Sequence, residues 1–449
     1  MHKFEKKKIN LVKTLKFKNY LNFLLQSSKW KNNEIEKYQN KKFIEIIKHV
    51  YNNTFFYNKL IKENGFSLND FKSIKDLKKL PFLNKNQVRK NNNLIKSNKN
   101  FKNLKTYYMT TGGTTGNPLK VWMDDDFKTF SLACTYFYMN NLNFDIKNSR
   151  SVRIHGNTIN QKKISRKIFW EYDKNNKFKL LISSYHINSK TINKYIEIIY
   201  KHNPEYLHCY PSVIFLMANL ISTLNIKIKF KIKAIFTDSE KLYDYQKKII
   251  IKIFKCPVYS IYGHTEGSVF GYPKKNSSNF FIHPAVGYLE LIDDKNQNIK
   301  KPGIKGEIVV TGFLNKTFPL IRYRTEDYGI LAKTNSSNIA LKKIFGRKQD
   351  FILSKNKDKV PIGPALFDYN FNWSGIEKFQ IHQKKFGEIV FYIVYSVNKN
   401  EENIIKKKII NKFTKLLNYQ FFIKVKKTRD IKFTKRGKFK YLVQHIKIN

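Results

Sequence analysis

A segment rich in glycine and threonine is the part of the sequence best suited to chemistry. Its four threonines and three glycines are Thr110, Thr111, Gly112, Gly113, Thr114, Thr115 and Gly116. Glycines let backbone N–H groups approach an anion closely, and threonine hydroxyls add further donors. The segment therefore predicts a loop that binds phosphates, with a polar β-turn as the alternative. It is not a Walker loop, because no Gly-Lys-Ser/Thr sequence closes it.

A second candidate follows a predicted strand and consists of Tyr262, Gly263, His264, Thr265 and Glu266. An aromatic ring, a hydroxyl and a carboxylate emerge together at the end of that strand. Tyr262 could stack on a purine, Thr265 could donate to a phosphate, and Glu266 could hold Mg²⁺, which prefers oxygen ligands. The alternative is an ordinary turn with Glu266 in solvent.

A third candidate, Asp238, Ser239 and Glu240, lies between a predicted strand and a predicted helix. Polar groups at the end of a strand in an α/β sheet are well placed to face a ligand. The alternative is structural, because Asp238 or Ser239 could simply cap the helix.

Together these segments resemble, in their order, the signatures of the adenylate-forming, acyl-CoA synthetase-like superfamily. The phenylacetate-CoA ligase-like branch, which includes CapK-like proteins of capsular polysaccharide biosynthesis, is the most similar. Phe55-Phe56-Tyr57 and the Leu-Pro-Phe run at residues 80–82 support the same resemblance. It implies an α/β fold with a large N-terminal adenylate-forming domain, residues 1–346, of mixed sheets and flanking helices. A small, mobile α+β lid domain, residues 347–449, would follow.

The resemblance also implies three groups of site residues. The ATP- or AMP-binding group comprises Thr111, Gly112, Gly113, Thr114, Thr115, Gly116, Ser239, Glu240, Tyr262, Gly263, Asp327 and Arg347. The catalytic group is Lys438, Thr265 and Glu266, and Glu266 also holds the metal. Asp350 is the implied hinge between the domains. Asp327 would accept hydrogen bonds from the ribose hydroxyls, a role that suits a carboxylate.

Two features of the sequence leave these assignments open. Lys435 and Lys440 compete with Lys438 for the role of the mobile lysine that neutralises charge at the α-phosphate. Glu326 stands where the family usually has a glycine, so the local loop geometry and catalysis are in question. His264 is the variable member of its motif and is expected near the acid or behind the metal, not as a metal ligand.

The implied reaction joins ATP and a carboxylic acid, with Mg²⁺, to form an acyl-AMP. Coenzyme A would then take the acyl group, although a sugar amine or hydroxyl is an alternative acceptor. The acid is not identified by the sequence. Its pocket is expected near His155, Gly156, Tyr210, Pro211 and Ser212, and after Glu266.

The elements that must position these residues follow from hydrophobic periodicity. Residues 1–103 are predicted to be mainly helical, since Phe43, Ile46, Ile47 and Val50 repeat at helical spacing. From residue 107 to 346, strands at 151–154, 233–236 and 258–261 alternate with helices at 191–202, 211–224 and 242–254. Later strands are predicted at 307–311, 321–323 and 389–395, and a helix at 402–417.

Composition limits the remaining classes of function. The formal net charge of +53 raises nucleic acid as a partner, but lysine is spread along the chain and no nucleic-acid module is recognised. No specific nucleic-acid partner is therefore expected, although peripheral attachment to a membrane through lysines stays open. A catalytically silent scaffold and a basic nucleic-acid-binding protein are the alternatives to an enzyme.

Three widely spaced cysteines, Cys134, Cys209 and Cys256, suggest neither a zinc knuckle nor a disulfide framework, which fits a reducing cytoplasm. The apolar stretch at residues 21–25 is too short for a membrane span. The oligomeric state is not predicted.

Overall fold

The fold is described by a computed structural model that covers twelve stretches of the chain. These are residues 14–98, 106–110, 119–146, 148–157, 159–174, 176–275, 277–334, 338–347, 351–361, 375–417, 419–431 and 441–446. The chain divides into two compact units, each made from two separate stretches of sequence. Unit A comprises residues 147–260 and 349–449, and unit B comprises residues 2–146 and 261–348. The predicted domain boundary at residue 346 stays a prediction.

The described residues contain α-helices of very different lengths. In chain order they are α1 (Leu15–Ser27), α2 (Asn32–Asn53), α3 (Phe55–Glu63), α4 (Lys85–Lys90), α5 (Asn92–Ile95), α6 (Asp125–Asn140), α7 (Gln161–Ser165), α8 (Ile192–His202), α9 (Pro211–Thr223), α10 (Asp244–Phe254) and α11 (Lys399–Leu416). In the described part of the chain, no helix combines the length and the apolar composition needed to span a bilayer.

The strands are short in the first half of the chain and longer in the second. In chain order they are β1 (Tyr107–Thr110), β2 (Lys120–Met123), β3 (Ser151–His155), β4 (Trp170–Asp173), β5 (Asn176–Ser183), β6 (Tyr206–Cys209), β7 (Ala234–Thr237), β8 (Val258–Ser260), β9 (Tyr262–Gly263), β10 (Phe270–Tyr272), β11 (Phe280–Ile282), β12 (Gly287–Ile292), β13 (Lys305–Gly312), β14 (Tyr323–Leu331), β15 (Ala340–Arg347), β16 (Phe351–Leu353), β17 (Lys359–Pro361), β18 (Ile376–Lys385), β19 (Glu388–Tyr395), β20 (Phe422–Lys427) and β21 (Leu442–Gln444).

Unit B combines the N-terminal helices with a seven-stranded antiparallel sheet, in the order β12-β13-β14-β15-β11-β10-β9. The predicted apolar stripe of α2, from Phe43 to Val50, is buried in the core. Helix α6 begins at Asp124, whose carboxylate accepts a hydrogen bond from the amide of Phe127 at 2.8 Å. Gly287 allows β12 to pass close to a neighbouring loop, because a Cβ there would lie 2.1 Å from the carbonyl oxygen of Ser268.

A buried ion pair fixes the start of β14. The guanidinium of Arg322 contacts both carboxylate oxygens of Glu290, at 2.9 Å from Nη2 and 3.2 Å from Nε. Its Nη1 also donates to the carbonyl oxygen of Leu80 at 2.7 Å. The sequence predicted a strand from residue 321, but β14 begins at Tyr323. Arg322 has a left-handed backbone (φ 48°), which interrupts strand pairing.

Unit A contains a six-stranded sheet in the order β4-β5-β3-β6-β7-β8. From β5 to β8 the strands are parallel, and β4 is antiparallel to β5. The carboxyl ends of the parallel strands therefore share one edge, which is where ligands bind in sheets of this type. Helix α9 is apolar on nearly every side and is buried accordingly.

The C-terminal stretch of unit A forms a four-stranded sheet in the order β20-β19-β18-β21. Helix α11 covers it, with Ile409 and Phe413 buried against Phe391 and its neighbours. Within unit A the side-chain amide of Gln246 donates to the hydroxyl of Tyr441 at 3.1 Å, which ties this sheet to α10. The predicted α/β class, with mixed sheets and flanking helices, is confirmed.

Candidate active site

Tyr262 and Asp327 are joined directly by a hydrogen bond. Tyr262 lies on β9, and its hydroxyl donates to Oδ2 of Asp327 on β14 at 3.1 Å. Strands β14 and β9 are four positions apart in the sheet order, about 19 Å in a flat sheet at ~4.8 Å per strand. The sheet must therefore curve, and the curvature brings together two residues that the sequence separates by 65 positions.

The backbone of Arg347 lies beside that of Asp327. The two residues are paired in the antiparallel register of β14 and β15. Of the predicted nucleotide-binding residues, Tyr262, Asp327 and Arg347 thus converge in unit B, and Gly263 continues β9 next to Tyr262.

Glu266 is buried in unit B with 2% of its surface exposed. Its Oε1 accepts a hydrogen bond from the hydroxyl of Tyr323 at 3.2 Å, and Nδ1 of His264 lies 3.3 Å from Oε2. A buried carboxylate is costly unless polar or charged groups compensate it. The alternative of a turn with Glu266 in solvent is therefore wrong. Thr265 next to it is half-buried.

Tyr323 is a contributor that the sequence analysis missed. It lies between Arg322 and Arg324 at the start of β14, and an aromatic residue in a strand is typical of packing. Its signal was its place in the segment that leads to Asp327, which resembles the family's Arg-Tyr-x-Thr-Gly-Asp sequence, but no role was predicted for it.

Glu326 has a left-handed backbone, the conformation that favours glycine. Its φ is 64°, in the left-handed region that costs a residue with a Cβ about 1–2 kcal/mol. The strand continues through this residue, and the amide of Asp327 donates to the hydroxyl of Thr325 at 3.1 Å. The substitution of glycine is therefore accommodated at the cost of local backbone strain.

Ser239 and Glu240 belong to unit A. Oε2 of Glu240 accepts a hydrogen bond from the amide of Ser212, in the first turn of α9, at 3.0 Å. Ser239 has a left-handed backbone (φ 65°), and α10 begins only at Asp244 with Tyr243 as its N-cap. The alternative in which Asp238 or Ser239 caps that helix is therefore wrong.

Several predicted residues lie outside the described residues and stay predictions. They are the phosphate-binding loop Thr111, Gly112, Gly113, Thr114, Thr115 and Gly116, the hinge Asp350, and the candidate lysines Lys435, Lys438 and Lys440.

A polar cluster in unit A was only partly anticipated. His155 ends β3, His208 lies on β6, and Asp238 follows β7, so all three lie near the carboxyl edge of the parallel sheet. Nε2 of His208 lies 2.7 Å from Oδ2 of Asp238, and Nε2 of His155 lies 3.5 Å from Oδ1. The sequence analysis named His155 only as a neighbour of the acid pocket, and it missed His208 because one histidine in an apolar strand carries no spacing signal.

The surroundings of this cluster fix its protonation. Nε of Arg153 donates to Nδ1 of His155 at 3.2 Å, and the ring of Tyr210 packs edge-on at 4.3 Å between centroids. Burial lowers the pKa of His155 to about 3, so its imidazole is neutral at physiological pH. Burial alone would raise the pKa of Asp238, but the charge of His208 and its hydrogen bond to the carboxylate, with His155 on the other side, hold that pKa well below its usual value.

Comparison with solved structures identifies the fold. The chain resembles 2-hydroxyisobutyryl-CoA ligase in the postadenylation state in complex with R3-HIB-AMP, with a TM-score of 0.66 and 14% identity over 90% of this chain and 88% of that one. It also resembles the GH3.15 acyl acid amido synthetase, with a TM-score of 0.57 and 14% identity over 91% and 88% of the two chains. The fold is that of the adenylate-forming ligases.

No protein-family model matches the chain. Protein CapK of Staphylococcus aureus is 30% identical to it over 421 residues, which cover 92% of this chain and 90% of CapK. The chain therefore belongs to the CapK-like proteins of the adenylate-forming superfamily.

Proposed function

We propose that this protein uses ATP to activate a carboxylic acid as its acyl-AMP and then transfers the acyl group to coenzyme A. The observation that carries the proposal is the convergence of Tyr262, Asp327 and Arg347 on one curved sheet, with Glu266 buried in the same unit. These are the types of residue that a nucleotide site of the adenylate-forming class requires.

In this proposal the chain's own residues hold the nucleotide. Asp327 accepts hydrogen bonds from the ribose hydroxyls, and Tyr262 fixes the orientation of its carboxylate through the 3.1 Å hydrogen bond. The ring of Tyr262 stacks on the adenine, and Arg347 contacts the ribose or a phosphate. Thr265, Gly263 and the loop from Thr111 to Gly116 are further nucleotide-binding residues in this proposal. Ser239 and Glu240 of unit A stay predicted nucleotide-binding residues.

Glu266 fits the role of a Mg²⁺ ligand. It presents a carboxylate, the hard oxygen donor that this cation prefers, and Tyr323 fixes the orientation of that carboxylate. Mg²⁺ bound there would supply charge neutralisation at the phosphates. Lys438 is the proposed second source of positive charge, brought to the α-phosphate when the carboxylate of the acid attacks phosphorus and pyrophosphate leaves. Asp350 is the proposed hinge for that movement.

The identity of the acceptor is the finer part of the proposal. The first structural neighbour is a CoA ligase, whereas the second is an acyl acid amido synthetase. Transfer to an amine or hydroxyl of a sugar, in capsule or cell-surface polysaccharide synthesis, is the alternative suggested by the similarity to CapK.

The test is acid-dependent release of pyrophosphate, together with trapping of the acyl-AMP by hydroxylamine, across a panel of carboxylic acids. We expect Glu266→Gln to reduce the turnover at least ~100-fold, as removal of one electrostatic contact to a transition state typically does. Glu307→Gln is the matched control in unit B. Its carboxylate pairs with Arg324 at 2.8 Å and takes no part in the proposed site, so turnover should change little.

Three lysine variants identify the mobile cation. Lys438→Ala should depress turnover, whereas Lys435→Ala and Lys440→Ala should leave most of it. Binding of Mg·ATP without turnover for every acid, unaffected by Glu266→Gln, would instead support a silent scaffold. Failure to bind Mg·ATP at all would overturn the proposal and favour the alternative of a basic nucleic-acid-binding protein, based on the net charge of +53.

A further inference from the structure

The cluster of His155, His208 and Asp238 in unit A has the composition of a metal site. Each residue offers one ligand atom, and these atoms all lie within 4.8 Å of one another. Two imidazoles and one carboxylate are the donors that suit first-row divalent cations, and three protein ligands leave a fourth position open. All three residues lie at or next to the ends of parallel strands, which hold their backbones in fixed register.

The distances are close to those that a bound cation needs. Ligand bonds of ~2.0–2.1 Å in tetrahedral geometry place two ligand atoms ~3.4 Å apart. Oδ2 of Asp238 lies 2.7 Å from Nε2 of His208, and Oδ1, the other oxygen of the same carboxylate, lies 3.5 Å from Nε2 of His155, so these contacts lie on either side of that value. Shifts on the order of 1 Å in the side chains would therefore complete the geometry.

One buried atom points to a missing ligand. His155 is 2% exposed, and its Nε2 lies 3.5 Å from Oδ1 of Asp238, which is too far for an ordinary hydrogen bond, so among the described residues it has no partner at normal hydrogen-bond distance. A buried polar atom without a partner costs about 1–3 kcal/mol. Coordination of a cation through Nε2 would remove that cost, and the carboxylate of Asp238 would offset part of the cation's charge.

We propose that His155, His208 and Asp238 form a binding site for a first-row divalent cation, for which Zn²⁺ is the probe. Coordination through Nε2 of His155 places the proton on Nδ1, so Arg153 must give up the hydrogen bond that it now donates to this atom. The three ligands do not include Glu266, the proposed Mg²⁺ ligand. Binding of the cation therefore does not depend on the proposed adenylation reaction.

The experiment measures zinc binding to the full-length protein after removal of metals with a chelator. Competition with a chromogenic chelator gives the stoichiometry and affinity, and substitution with Co²⁺ gives the visible absorption typical of a tetrahedral site. We expect one equivalent to bind to the unaltered protein. His208→Gln and Asp238→Asn should each weaken binding at least ~10-fold, because each removes a direct ligand. Arg153→Met, which removes the competing hydrogen bond, should bind at least as tightly as the unaltered protein.

The matched control is His382→Gln. His382 belongs to the other close histidine pair of unit A, with its Nδ1 2.9 Å from Nε2 of His445. Zinc binding that survives in His208→Gln and Asp238→Asn, or that is lost in His382→Gln, would overturn the proposal, as would an unaltered protein that binds no zinc. His208 is partly exposed, so its variant should stay folded, and circular dichroism without metal checks this.

Discussion

The ion pair between Arg322 and Glu290 allows a sharp test of how β14 is held. The two side chains are only 9% and 7% exposed. Replacing Arg322 with methionine keeps much of the volume but leaves the carboxylate of Glu290 buried without its cation. Breaking a buried pair in this way costs about 3–5 kcal/mol, which shifts the unfolding equilibrium by ~10²–10⁴-fold.

Arg324→Met is the matched control on the same strand. Both guanidinium groups lie over the ring of Phe82, at 4.0 Å for Arg322 and 4.5 Å for Arg324, so both variants lose a similar ring contact. The partner of Arg324 is Glu307, and the arginine side chain is 28% exposed, so solvent screens the pair. Its loss should cost about 1 kcal/mol or less.

The assay is urea unfolding followed by tryptophan fluorescence, with the free energy of unfolding as the measured quantity. A double variant, Arg322→Met with Glu290→Met, removes both charges and should be more stable than Arg322→Met alone. The reasoning is refuted if Arg322→Met loses no more stability than Arg324→Met, or if the double variant loses the sum of the two single changes.

The remaining predictions concern three positions in unit B. Glu326→Gly should raise the free energy of unfolding by about 1 kcal/mol in urea titrations, because it relieves a left-handed backbone (φ 64°), whereas Glu326→Ala should give no such gain. Gly287→Ala should lower the melting temperature sharply, because the new methyl group would lie 2.1 Å from the carbonyl oxygen of Ser268. The expected loss of stability is about 3 kcal/mol. A melting temperature within a degree of the original would contradict this prediction. Burial lowers the pKa of His283 from 6.5 to about 4, so the unfolded chain takes up a proton first as the solution is acidified. Neutral His283 therefore contributes its full stability above pH 6.5, and this contribution is lost as the pH falls to about 4. The expected decrease in the free energy of unfolding is about 3 kcal/mol. Urea unfolding at a series of pH values should show this decrease, and His283→Gln should largely remove it.

Local patterns predicted most elements of the fold. The apolar run predicted as a helix at 211–224 forms α9 at Pro211–Thr223, and the apolar stripe from Phe43 to Val50 lies on the helix α2, as its helical spacing predicted. The strands at 151–155 and 258–260 were also predicted closely, because short β-branched runs end at polar residues.

The contacts that define the candidate sites were harder to predict. Tyr323 contacts Glu266 across 57 positions, and His208 contacts Asp238 across 30. Such contacts depend on strand register and on sheet curvature, which a single sequence does not encode as a periodicity. The left-handed conformation at Arg322 was missed for a related reason, since a buried ion pair and not a local preference holds it there.

The interrupted sequence of unit B has a consequence for synthesis of the protein on the ribosome. Its first stretch ends at residue 146, but strands β9 to β15, which bury the apolar faces of its helices, follow only from residue 261 onward. The last of these strands ends at residue 347, so at ~5–20 residues per second the nascent chain waits roughly 10–40 s for all of them to be synthesised. During that interval the apolar faces of the early helices are exposed to solvent. A chaperone that binds these faces would protect the nascent chain most at this stage.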